Sequence, residues 1–295
     1  MFQPDLLKGK RILVTGGGTG LGREIAAQYL QLGAEIIICG RRKAVLDATA
    51  DELVKQSGGK SGGRVATHAV DIRDAAAVDA MVQAIWDEGG PLTGLVNNAA
   101  GNFISRTEDL SPRGFDAIAN IVLHGTFYTT QAVGKRWIAG GHKGSVISIV
   151  VTWVWTGSPF VVPSAMAKAG VHVMTQSLAV EWGRHGIRLN AIAPGTIPTE
   201  GMSKRLAPGR DDRDDTAAKA NPMGRVGQMH ELQNLATFLM ADGCEWLSGQ
   251  TIALDGAGWQ ANGGSFKELF AWGDEEWAAA RAAIKGQNDK DKAQR

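Results

Sequence analysis

Apolar residues recur along this chain in two alternating rhythms. Ile12, Leu13 and Val14 form a short continuous run suited to a buried strand, and Leu21, Ile25, Ala26, Tyr29 and Leu30 then repeat at the spacing of an amphipathic helix. The same alternation continues. Ala34 to Cys39 predicts a second strand and Lys43 to Gln56 a helix with apolar Val45, Leu46, Leu53 and Val54; the Gly/Ser-rich Ser57 to Gly63 predicts a flexible turn. Arg64 to Val70 reads as strand, Asp74 to Trp86 as a helix capped by Asp74, and Gly94 to Val96 as a fourth strand. Ser111-Pro112 opens a long helix to about Ala139. Ser145 to Val151, Ile187 to Ile192 and Thr251 to Leu254 supply the remaining strands, with a helix from Pro163 to Trp182. Strands joined by helices return to one sheet only in parallel, so the pattern predicts an α/β fold: a single Rossmann-like, doubly wound parallel sheet with helices on both faces.

Two stretches fall outside this rhythm. Residues 196–222 are long and contain the charged GRDDRDDTAAKAN, which predicts a surface flap at the carboxyl edge of the sheet. Residues 263–295 carry Phe266, Leu269, Phe270 and Trp277 and then the polar GQNDKDKAQR, an extension expected to be partly disordered or to serve in packing or subunit contact. Residues 1–262 then form the main domain, flap included.

The turn between the first strand and helix, RILVTGGGTGLG (Arg11 to Gly22), is where chemistry enters. Gly16, Gly20 and Gly22 remove side chains where a pyrophosphate would approach, and the following helix offers unpaired N–H groups and a positive dipole end. At the end of the second strand stands Cys39-Gly40-Arg41-Arg42-Lys43, with no carboxylate to accept from a ribose hydroxyl. Arg41, with Arg42 second, suits a 2′-phosphate, so NADP(H) is favoured over NAD(H); the competing reading is three exposed cations opening a helix. Asp71, just past the third strand, is placed either to accept from an adenine amino group or simply to be a capping or solvated carboxylate.

Composition narrows the rest. With 31 basic and 30 acidic residues the chain has nothing to spare for a nucleic-acid backbone. Two cysteines, Cys39 and Cys244, fit a reducing compartment, and no metal-ligand cluster is visible. MFQPDLLKGK lacks an apolar signal-peptide core and Val146 to Trp155 is too short to span a bilayer, so a soluble, cytoplasmic protein is expected.

With NNAAG at Asn97 to Gly101, AMAKAG at Ala165 to Gly170 and Ala-Pro-Gly at 193–195 following the glycine turn, residues 8–260 resemble the short-chain dehydrogenase/reductase family. Within it, NNAAGNFIS (97–105), TGSPFVVPSAMAKAGV (156–171) and APGTIPTEGMSKRL (193–206) look most like 2,4-dienoyl-CoA reductases. That resemblance implies a subunit, often tetrameric, that uses NADPH to reduce a conjugated acyl-CoA. It implies cofactor contacts from Gly16, Gly18, Thr19, Gly20, Leu21 and Gly22 in the turn, and from Arg41, Arg42, Asp71 and Ile72 beside it. Asn98, Ala99, Lys168, Pro194, Gly195 and Ile197 complete the implied cofactor set, with Thr196 beside them. Asn102, Phe103, Ser164 and Arg205 are the implied substrate contacts, Arg205 being equally readable as a solvated charge.

Most members of the family reduce ketones with a Tyr four residues before the Lys and a Ser thirteen before that Tyr. Counted from Lys168, those positions hold Ser164 and Val151. The chain's two tyrosines, Tyr29 and Tyr128, lie elsewhere, so an alkoxide would lack a matched proton donor. Reducing a conjugated C=C next to a thioester asks instead for hydrogen-bond donors aimed at an enolate oxygen. In the resembled mitochondrial-type enzymes these are an Asn, matched by Asn102, and a Tyr, whose position holds Trp153; the Asp of the peroxisomal type is matched by Val122. An indole N–H donates a hydrogen bond but delivers no proton. The resulting expectation is an NADPH-dependent reductase of a conjugated acyl-CoA, with the oxyanion held by Asn102 and Trp153, the cofactor positioned by Lys168, and Ser164 at the thioester end or serving as a helix cap. Two alternatives stay open: a short-chain reductase of another activated alkene or carbonyl, and an NADP(H)-binding protein with weak or no turnover. His124 reads as a structural residue or a proton source, and Trp153, Trp155 and Phe160 as acyl-pocket walls or core filler. The helices 111–139 and 163–185 are plausible contact faces of a homotetramer.

Overall fold

The computed structural model describes residues 1–57, 64–199, 213–261, 269 and 271–293. Seven strands form one sheet: β1 (Arg11–Thr15), β2 (Glu35–Gly40), β3 (Val65–Ala69), β4 (Gly94–Asn97), β5 (Gly144–Ile149), β6 (Ile187–Pro194) and β7 (Thr251–Leu254). Their order is β3-β2-β1-β4-β5-β6-β7 and every pairing is parallel, so all carboxyl ends share one edge, with the reversal of order between β1 and β4.

The apolar runs are continuous because both faces of the central strands are covered. Ile12, Val14, Ile36 and Ile38 face a layer built from α1 (Gly20–Gln31), α2 (Lys43–Ser57) and a later helix, α9 (Met229–Met240). Leu13, Ile37, Cys39 and Leu95 face α3 (Ala75–Gly89) and α5 (Gly125–Gly140) on the other side. Asp74 caps α3, accepting from the N–H groups of Ala76 at 2.9 Å and Ala77 at 3.0 Å.

The structure departs from the sequence pattern in four places. The helix expected from 111 to 139 is two helices, α4 (Pro112–Ala119) and α5, joined by a π turn at Asn120–His124; one inserted residue widens the helix without breaking its apolar stripe. β5 stops at Ile149, and the apolar residues after it form a short helix, α6 (Trp153–Thr156), ahead of α7 (Val162–Trp182). Helix α9 was not anticipated. A box between Gln228 and Glu231 starts it, Leu232, Ala236, Leu239 and Met240 bury one face, and the Arg188 guanidinium donates to the carbonyls of Leu239 (3.0 Å) and Ala241 (3.1 Å) at its C-terminal end.

The fourth departure is the C-terminal stretch. It runs as α11 (Asp274–Ala293) through most of the segment whose polarity had suggested disorder; Asp274, Glu275 and Glu276 in the first turn and the alanines after them favour a helix. Between α9 and α11 lie β7 and a single turn, α10 (Gly258–Ala261). Of the expected flap, α8 (Arg213–Ala220) is described, while 200–212, including Arg205, lies outside the described residues, as do Phe266 and Phe270 of the extension.

Candidate functional site

The glycine turn sits at the carboxyl edge between β1 and α1, and its glycines answer to different constraints. Gly20 has φ +57° and nothing within 4 Å of where a Cβ would be, so the turn needs its left-handed backbone and leaves open space there. Gly22 is a packing glycine: a Cβ would lie 2.3 Å from Asn98 Nδ2 and 2.7 Å from the Gly16 carbonyl. Asn98 donates through Nδ2 to the carbonyls of Thr15 (3.0 Å) and Gly16 (3.3 Å), and the N–H groups of Asn98 and Ala99 both donate to Thr15 Oγ1 at 3.0 Å. The start of NNAAG is therefore tied to the glycine turn, through a threonine that the sequence did not single out. Gly18 accepts from Thr49 Oγ1 at 2.9 Å, and Thr19 precedes α1 without a side-chain cap, leaving the first-turn N–H groups, from Gly20 and Leu21 on, without a capping side chain.

Beside this turn, Arg41 and Arg42 leave β2 exposed to solvent, while Lys43 pairs with Asp47 at 2.7 Å. Asp71 leaves β3 next to them and Ile72 is buried at 6% exposure. The capping of α3 by Asp74 separates the two carboxylates: Asp71 is held by Arg73 instead, Nε lying 2.9 Å from each carboxylate oxygen. That contact, first among its influences, holds the Asp71 carboxyl below the usual carboxylate range.

The third group gathers where β4 and β5 end. Lys168, in α7, is 8% exposed, and its ammonium donates to the Ile149 carbonyl at the last residue of β5. Burial lowers its pKa from 10.5 to about 8. Ser164 is 4% exposed, and no described group hydrogen-bonds to its hydroxyl. It is not a cap, because the residue preceding α7 is Val161. Asn102 accepts at Oδ1 from the Phe103 N–H (2.9 Å), which fixes the amide and leaves its NH2 without a partner among the described residues. Trp153 opens α6 half-buried, with its indole N–H likewise unengaged among them.

The loops around these residues are cross-linked. Ser105, just past GNFI, donates its N–H to the Phe160 carbonyl at 2.9 Å; Phe160 has φ +63°, and its side chain is exposed. Trp155, rather than Trp153, makes the aromatic contacts: it stacks on Trp259 and meets His172 edge-on, and His172 Nδ1 lies 2.8 Å from Thr251 Oγ1. Pro194 closes β6, the Gly195 N–H donates to the Leu254 carbonyl at 3.0 Å, and Ile197 is buried. Next to Gly195 and Thr196 a cavity of about 130 Å³ extends to Asn221, Arg225 and Asp255.

Val122 is fully buried against Ile118 and Ala167, an apolar contact where a carboxylate would be stranded. The Tyr29 hydroxyl donates to the Ala236 carbonyl at 2.8 Å under α9, and Tyr128 lies against exposed His124, ring centroids 6.1 Å apart. Among the described residues no group of His, Cys, Asp and Glu could hold a metal ion, and no helix is long and apolar enough to cross a membrane.

A family model described as enoyl-(acyl carrier protein) reductase matches residues 16–258. A probable 2,4-dienoyl-CoA reductase of Caenorhabditis elegans, described as (3E)-enoyl-CoA-producing, is 42% identical, the match covering 99% of this chain and 94% of the relative. The crystal structure of a short chain dehydrogenase from Bacillus anthracis superposes with TM-score 0.77 at 39% identity, covering 85% of this chain and 97% of that one. A gluconate 5-dehydrogenase from Burkholderia cenocepacia, solved with NADP and tartrate, gives TM-score 0.78 at 29% identity over 85% of this chain and 96% of its own.

Proposed function

The chain belongs to the short-chain dehydrogenase/reductase family, and from that premise we propose that it uses NADPH to reduce a conjugated C=C of an acyl-CoA thioester. The observation that carries this reading is the set of unspent donors at the cleft. The Asn102 amide NH2 and the Trp153 indole N–H have no described partner, and both tyrosine hydroxyls lie elsewhere. Donors without an acid suit an oxyanion that needs steadying more than an alkoxide that needs a proton.

The residues fit a dinucleotide. Open space at Gly20, the uncapped first turn of α1 and the free cations Arg41 and Arg42 form a seat for a pyrophosphate and, beyond it, a 2′-phosphate. A bound nicotinamide supplies the hydride. Lys168, held at the end of β5, orients the adjoining ribose, and Pro194, Gly195, Thr196 and Ile197 face the carboxamide. Hydride addition to the far carbon of the conjugated system would push an electron pair onto the thioester oxygen. Asn102 and Trp153 would donate to that oxygen, Ser164 would bind at the same end and Phe103 would line the chain; Arg205, outside the described residues, is the residue proposed for the CoA phosphates. Water then protonates carbon. A NADP-bound neighbour and a dienoyl-CoA reductase relative support this reading.

A second reading, an NADP(H)-binding protein with little turnover, is favoured by the absence of an acid at Trp153, Ser164 and Val122 alike. Loss of NADPH absorbance with a 2,4-dienoyl-CoA, a 2-enoyl-CoA and a 3-ketoacyl-CoA, run side by side, separates the readings. Preference for the diene is expected. Preference for the ketone overturns the proposal, and tight NADPH binding with no turnover on any of the three selects the second reading. Exposed Phe127, Val173 and Val180 on α5 and α7 support a homotetramer joined through those helices, which light scattering of the purified protein would test.

A further inference from the structure

Arg73 has no part in the chemistry above, yet its side chain turns back onto a residue that does. Its Nε lies 2.9 Å from both oxygens of Asp71, its Nη2 2.5 Å from Oδ2, and its own N–H donates to Oδ1 at 3.1 Å. The pairing of Gly40 with Ala69, and the Val70 N–H donating to the Gly40 carbonyl at 2.9 Å, bring the residues that leave β2 and β3 side by side. Arg41 and Asp71 are those residues, and the Asp71 carboxylate feels the Arg41 charge as well as that of Arg73. Without Arg73, a carboxylate would stand beside the cations that the 2′-phosphate needs. The phosphate would then meet Arg41 with part of its field cancelled and a like charge close by.

We propose that Arg73 determines cofactor specificity indirectly, by neutralising Asp71 so that the Arg41–Arg42 edge keeps a net positive field for a 2′-phosphate. The proposal rests on the NADP(H) reading and deepens it. Arg73 acts as a positioning and charge-compensating residue, without itself touching the cofactor. Because the ion pair is partly exposed, its side chains 42% and 33% accessible, the effect is moderate and screened by salt.

The test compares dissociation constants for NADPH and NADH on the full chain, read from quenching of protein fluorescence. The variants are Arg73→Gln, Asp71→Asn, the double variant and Arg41→Gln. Arg73→Gln is expected to lower the NADPH-over-NADH preference about three- to tenfold at low salt, shrinking as salt rises. In the Asp71→Asn background the same change is expected to leave that preference within about twofold, since no carboxylate remains to be neutralised. An unchanged preference in Arg73→Gln, beside a clear loss in Arg41→Gln, overturns this proposal alone. A loss that persists in the double variant also overturns it, because Arg73 would then be binding phosphate itself. A wild type that prefers NADH and ignores Arg41→Gln overturns the NADP(H) reading and the proposal with it.

Discussion

Trp155 stacks on Trp259 with ring centroids 4.8 Å apart and planes at 27°, joining the loop that leaves β5 to the loop that leaves β7. Helix α6 has four residues and no side-chain cap, so it cannot hold itself in place. The stack, with His172 edge-on at 6.2 Å, supplies what the helix lacks, and Trp153 sits two residues from it on the same turn. Trp155→Ala and Trp259→Ala are therefore expected to be non-additive, with a coupling of about 0.5–1.5 kcal/mol in a urea-unfolding double-mutant cycle. Each single variant is expected to lower kcat more than it raises KM. Full additivity would show that the two rings do not act as a unit.

Lys168 makes stability depend on pH in an unusual direction. Its fall from 10.5 to about 8 by burial corresponds to roughly 3 kcal/mol against the protonated form. Below pH 8 both folded and unfolded chains hold the proton and the cost is fully present. Between 8 and 10.5 the unfolded chain keeps a proton that the folded chain has released, so stability rises with pH. Lys168→Met, which also gives up the hydrogen bond to Ile149, is expected to be about 1–2 kcal/mol more stable than wild type at pH 7 and to lose that advantage by about pH 10.5. Denaturant titrations of the cofactor-free protein across this range check it, with activity lost at every pH.

Removal of a single oxyanion donor in a preorganised site costs about 10²–10³ in kcat. Asn102→Ala is expected to fall in that range with NADPH affinity unchanged, and Trp153→Phe to fall in the same range, because each side chain is one donor of two. Trp153→Tyr is the informative exchange: a large gain in rate means that protonation limits the natural protein. Steady-state kinetics on the diene, with cofactor binding measured separately, reads all three.

Phe160 combines a left-handed backbone, φ +63°, with a side chain 58% exposed. Glycine at this position relieves the strain while keeping the carbonyl that accepts from Ser105. Phe160→Gly is thus expected to gain about 0.5–1 kcal/mol in thermal or urea unfolding, and Phe160→Ala to gain nothing. If the ring also walls the acyl group, KM rises alike in both, which separates the backbone's role from the ring's.

The sheet was legible because its central strands are buried on both faces and so read as uninterrupted apolar runs. Asp74 was legible as a cap because capping is local chemistry. What escaped was register and long-range pairing. A π turn adds one residue without disturbing the apolar stripe, so Asn120–His124 looks like ordinary helix in sequence, and Val150 and Val151 read as the end of a strand although β5 stops at Ile149 and α6 begins at Trp153. The partnership of Trp155 with Trp259 depends on where loops meet at the sheet edge. The glycine pattern reads as a turn, but what holds Gly22 without a side chain, the Asn98 amide packed against it, comes from a distant part of the chain.

That packing has a consequence for how the nucleotide seat comes into being. Asn98 and Thr15 are far apart along the chain, and the hydrogen bonds between them form only once β4 has docked against β1. A nascent or truncated polypeptide ending before the fourth strand would contain every glycine of the turn and still lack its shape. The shape of the turn is thus a property of the closed sheet, and grafting the first strand, turn and helix alone would not carry it over.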